Sequence, residues 1–307
     1  MTAGWVAAST RGRALARRLV GPAGAGEIAS AATWDEARSQ LAKTLYGAEI
    51  APNADRAAVR RAAAVATSWQ LRVLAGWLPV GSSGLARVFA APIEIANIEA
   101  HLAGLAGAKV AAPVPLGPLS VAWPRVTAAT SPEQVRISIA RSAWGDPGGS
   151  SPTAVAVGLR TALARRLISQ IPEAAPLAKG GLAVLIARES FAFERQIAPI
   201  TSGELDRLIG SRWRQATTIP ELTELLPDSS AWALSGITSA ADLWRAELAV
   251  AARVANEAAA LASERRFTKS TVAATMALLL VDLWRISAAI EVAGRGPIPI
   301  EVFDAVA

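Results

Sequence analysis

A capped amphipathic helix that runs into an aromatic residue and a turn occurs three times in this chain of 307 residues. The first copy covers residues 33–47, from Thr33 to the pair Tyr46 and Gly47. The second covers residues 131–145 in the same register, from Ser131 to Trp144 and Gly145. A looser third copy opens at Thr218 and reaches Trp232 one residue late. The starts lie 98 residues apart (33 to 131) and then 87 (131 to 218). A period of that size means that related modules build one body. Each copy has capping-box spacing: Thr33 with Glu36, Ser131 with Gln134, Thr218 with Glu221. Pro132 falls at the first helical position, where its missing N–H costs nothing. Behind the caps, Ala37/Leu41, Val135/Ile139 and Leu222/Leu226 share one helical face.

A second element has the same period. Glu94, Glu189 and Asp282 each stand four residues ahead of a large apolar residue: Ile98, Phe193 and Ile286. The acids are 95 (94 to 189) and 93 (189 to 282) residues apart. Each closes a long apolar helix and precedes a Gly or Pro break, at Gly104, Pro199 and Gly294. Both elements give one module length, with modules at residues 1–112, 113–201 and 202–307.

The frequent Ala, Leu and Arg, with few alternating runs, predict an all-α fold. Residues 5–19, 56–77, 153–171, 181–197, 239–266 and 270–293 are expected helices, the one at 239–266 being the longest. Residues 21–26 and 145–152 are expected loops, and residues 113–124 a linker. The tail at 296–307 is apolar enough to pack on another module. Cysteine is absent, which removes disulfides, thiolate metal sites and cysteine nucleophiles. The start of the chain is studded with Arg and has no signal-peptide core. The most apolar run, residues 271–281, is too short to span a bilayer and meets Asp282 and Arg285. The expectation is a soluble protein, with a peripheral position at a membrane left open.

Most candidate chemistry fails on composition. Gly21 and Gly26 have the spacing of a phosphate loop, but Glu27 and Ile28 stand where Lys and Ser or Thr belong. His101 is the only histidine, and no nucleophile elbow or helical carboxylate pair accompanies it. The net charge is +6, with Lys at four positions and Arg at the other 27 of 31 basic ones, a bias that a GC-rich genome produces. The clusters Arg11/Arg13/Arg17/Arg18, Arg60/Arg61, Arg165/Arg166 and Arg265/Arg266 are spread over the modules. That spread fits solvated helix faces, or a surface for acidic protein partners, better than one nucleic-acid groove. The ten Trp residues, Trp77 and Trp284 among them, fit packing.

Residues 40–50, with Thr44, Tyr46 and Gly47, resemble a segment of one family, the C-type (archaeal and bacterial) and d-type (eukaryotic) central-rotor subunits of V-type rotary ATPases. In that segment an apolar helix ends in Thr-x-Tyr-Gly. The helices around Glu94, Asn97 and Ile98, and around Asp282, Trp284, Arg285 and Ile286, are similar to that family's long closing helices. The order of elements agrees over nearly the full chain. At the Asn97 position, module two has Ala192 and module three Arg285. The resemblance implies three helical modules in a pseudo-threefold funnel. It implies a non-catalytic coupling part between the central-stalk subunits and the membrane rotor ring of a V-type ATPase, serving proton or sodium transport. Such a part lies on the cytoplasmic face of the membrane, with no catalytic residue, cofactor, metal, nucleic acid or small-molecule substrate of its own. Glu94, Asn97, Glu189, Asp282 and Arg285 become the expected interface residues. The three acids either line or brace the funnel, or satisfy neighbouring Arg side chains and helix ends. A standalone helical-repeat scaffold, or a basic nucleic-acid-associated protein, is the alternative.

Overall fold

The computed structural model describes residues 3–295; the tail at 296–307 lies outside them. The described chain is all-helical, with no strand among those residues. In chain order the helices are α1 (Ala3–Ala16), α2 (Gly21–Ala29), α3 (Trp34–Ala42), α4 (Arg56–Trp77) and α5 (Ser83–Leu105). They continue with α6 (Trp123–Val126), α7 (Pro132–Ala140), α8 (Pro152–Gln170), α9 (Ala175–Ala187) and α10 (Pro199–Ile209). The last four are α11 (Ile219–Leu225), α12 (Asp228–Ala231), α13 (Leu243–Ser263) and α14 (Lys269–Val292). Single 3₁₀ turns join several of them, and one π turn, Arg188–Ala192, extends α9.

The three repeated caps form, with one difference from the expected box. The hydroxyls of Thr33, Ser131 and Thr218 accept the N–H of Glu36, Gln134 and Glu221 at 3.2, 3.3 and 3.3 Å. The return bond goes one residue further back than the cap itself, from the N–H of Ala32, Thr130 or Thr217. In α7 and α11 the preceding Thr hydroxyl also donates to the same side chain. One of the free N-terminal donors of each helix is thereby occupied, and so is the N–H of the residue before the cap.

The turn after the cap is copied as closely. Thr44 and Ser142 donate their hydroxyls to Leu41 and Ile139, and accept the N–H of Tyr46 and Trp144 at 3.2 Å in both. In the third copy Pro227 cannot continue the helix. The chain restarts there as the short α12, and Trp232 comes one position late. Its indole lies against Gly180 of α9, where a Cβ would be 2.4 Å from the ring.

Two compact units result. Of the described residues, one comprises 3–93, 111–119 and 251–295. In it α14 is the central helix, packed by α1, α2 and α4. At 24 residues and mean hydropathy 1.6, α14 is long and apolar enough to cross a membrane by composition, and 61% of that stretch is buried in the protein. It is also longer than α13, the helix expected to be the longest over 239–266. That helix has 21 residues, because Ala240–Asp242 form a 3₁₀ turn and residues 264–268 separate it from α14. The other unit comprises Glu94–Val110 and Ser120–Val250. Its core gathers around α9, with Leu182, Ile186, Leu205, Leu222 and Leu234 buried. Each such side chain contributes about 1.5–3 kcal/mol of burial. The helix expected at 181–197 starts earlier, because Pro176 sits in its first turn, and it ends at the π turn.

Trp144 is buried as a packing aromatic, but Trp77 and Trp284 are 49% and 40% exposed and do not anchor a core. Thr33→Ala and Ser131→Ala should each lower stability by about 1 kcal/mol in urea unfolding. Gly180→Ala should cost about 2 kcal/mol, because ring and helix must move apart.

Candidate functional site: three buried carboxylates

The acids picked out by period are all interior. Glu94, Glu189 and Asp282 are 1%, 4% and 1% exposed. Asn97 and Arg285 are buried beside two of them. A carboxylate taken out of water is destabilising unless hydrogen bonds replace its hydration. Two of the three are satisfied in the same way.

In the unit built on α14, Asp282 accepts the N–H of Val20 at 3.0 Å and of Gly21 at 2.7 Å, where α2 begins. The Tyr46 hydroxyl donates to the same carboxylate at 2.7 Å. Burial first, and then the charge of Asp282, push the Tyr46 hydroxyl far above its ordinary pKa, which keeps it a donor. Burial pulls the Arg285 guanidinium down from its usual value, and Asp282 opposes that shift.

In the other unit Oε1 of Glu94 accepts three successive N–H groups, from Val121, Ala122 and Trp123, at 2.7, 2.7 and 2.8 Å. These lie at the start of α6. Oε2 accepts the Trp144 indole N–H at 3.2 Å. The guanidinium of Arg166 lies 4.6 Å over the Trp144 ring and helps fix it. Each of these latches therefore joins an acid, a helix start and the aromatic that ends a capped helix. Negative charge at a helix start is favoured by both free N–H groups and dipole.

Glu189 has no such set. Trp232, the aromatic of the third copy, gives its indole N–H to the carbonyls of Pro176 and Ser229 at 3.3 and 3.2 Å. Oε2 of Glu189 is buried and has no hydrogen-bond partner among the described residues. Arg188 and Arg195 stand at ion-pair distance, 3.7 Å each, too far for a hydrogen bond.

Sequence reasoning placed the acids and the aromatics, and missed the backbone donors. Residues 21–26, expected as a connecting loop, are the first turns of α2, held there by Asp282. Gly21 takes φ +68°, a conformation that glycine allows and that turns its N–H onto the carboxylate. Residues 113–124, expected as a linker, deliver the Glu94 donors. The Arg clusters are only partly solvated faces. Arg13 donates to the carbonyls of Glu264 and Arg266, and Arg61 to those of Ala112 and Pro113. His101 meets the carbonyl of Ala129 at 3.0 Å and packs edge-on to Trp123. Among the described residues no three His, Asp or Glu side chains converge on a metal position.

Compared with models of known families the sequence matches none, and no curated protein matches it either.

Tyr46→Phe should cost about 2 kcal/mol, the worth of a hydrogen bond to a charged group. Trp144→Phe should cost about 3 kcal/mol or more, because the smaller ring also leaves a cavity in the core. Glu189→Gln should leave thermal stability unchanged or raise it, while Glu94→Gln lowers it. Differential scanning calorimetry of the four variants checks both expectations.

Proposed function

We propose that the chain is a non-catalytic central-rotor part of a V-type ATPase, of the C-type or d-type kind, coupling stalk rotation to the membrane ion-translocating ring. One observation carries this reading: the order in which the latches join the repeats. The acid that closes the first repeat, Glu94, holds Trp144 of the second. The acid that closes the third, Asp282, holds Tyr46 of the first. A body of three modules arranged about an axis requires joins of this kind between repeats. The second and third are joined by Trp232, whose indole N–H goes to the Pro176 carbonyl, and not by Glu189. Pseudo-threefold modules in a funnel are accordingly part of the proposal. A part of that shape can seat a stalk on a ring without any chemistry of its own, and its partners would be the stalk and ring proteins. Stiff latches suit torque transmission, since a coupling part that yields under load loses work. The sequence resemblance in residues 40–50 and around Glu94 and Asp282 adds the family.

The test is an affinity pull-down of the tagged chain from its native membranes in mild detergent. Recovery of V-type catalytic, stalk and ring proteins in fixed ratio is the expected result. Their complete absence, with the chain itself recovered folded, overturns the rotor reading.

A further inference from the structure

The third carboxylate belongs to a residue that lines a cleft, and it has no set of donors among the described residues. A cleft of about 640 Å³ is lined by Gly148, Ser150, Thr153, Glu189, Arg195 and Gln196, among others. It lies wholly within the second unit, at the start of α8. Glu189 forms one wall from the π turn, with its buried, unbonded Oε2. The chain beyond makes a tight return: Glu194 takes φ +51°, and the N–H of Arg195 bonds back to the Glu189 carbonyl at 2.7 Å. The Arg195 guanidinium is held 4.4 Å over the Phe193 ring, next to the carboxylate it fails to reach.

The two sister acids tell what such a carboxylate takes in this protein: consecutive backbone N–H groups from a helix start, completed by a ring donor. For Glu189 neither comes from the described residues. Charge narrows the choice of outside ligand. An anion is repelled by Glu189 and by Glu247, which pairs with Arg188 at 3.3 Å and leaves the cluster without net positive charge. A metal ion or ammonium group is repelled by Arg188 and Arg195, which already stand 3.7 Å from the two carboxylate oxygens. Neutral N–H donors meet neither objection, and a buried acceptor left unbonded rewards them most. We infer that the Glu189 cleft is a docking site for a partner polypeptide that presents consecutive backbone N–H groups at a turn or helix start. The Ser150 and Thr153 hydroxyls and the Gln196 amide on its rim are suited to the carbonyls of such a segment. The inference stands on the Glu189 geometry and does not require the rotor reading.

The probe is the blocked hexapeptide copying residues 119–124, which is uncharged and contains the three N–H groups that satisfy Glu94. Added to the full-length 15N-labelled protein, it should shift the amide signals of Gly148, Gly149, Ser150 and Gln196 saturably. The same peptide N-methylated at its Val and Ala positions should bind at least tenfold more weakly. Glu189→Leu should abolish the shifts, and the methylated peptide gives the same answer on the unaltered chain if that variant does not fold. No saturable shift, equal binding of the two peptides, or displacement of the peptide by ethylammonium overturns the proposal.

Discussion

An ionised carboxylate in a protein interior must find donors, and much of this chain is arranged around that need. Asp282 draws the start of α2 onto α14, and Glu94 draws residues 121–123 onto α5. Each also fixes an aromatic ring at the end of a capped helix. Removing one member leaves the others as unsatisfied interior groups, so the parts of a latch stand or fall together. The apolar packing around α14 and α9 supplies most of the burial. The latches decide which helix start goes where.

The sequence pattern revealed the elements whose signals are local. Capping spacing placed α3, α7 and α11, and the helical period placed α4, α8 and α14. The acids and aromatics were legible because they recur at a fixed interval. Their donors were not, because a backbone N–H belongs to every residue except proline and leaves no mark in composition. Gly21 through Gly26 carries strong turn signals, and only a distant carboxylate overrides them. The exposure of Trp77 and Trp284 was equally hidden, since an aromatic on a helix face looks the same in sequence whether its face is covered or bare.

The third repeat shows how small a change redirects a site. Pro227 ends a helix early, the aromatic that follows arrives one residue late, and Gly180 offers its ring another seat. The acid at the corresponding place is then left with two guanidinium neighbours and an opening. Charge neutrality is met without directional bonding, which leaves a carboxylate ready to accept. Two repeats use their acid to hold the chain to itself, while the third keeps the same group in reserve.

Tyr46 is the only tyrosine in the chain, so one phenol reports on one latch. Its native pKa lies above the unfolded value of about 10. Its contribution to stability is therefore complete below that pH and erodes as pH rises further, because the unfolded chain gives up the proton first. No other residue yields phenolate absorbance. In alkaline solution that colour can grow only as Asp282 loses its ring donor, which gives the molecule an intrinsic optical gauge of a single interior bond.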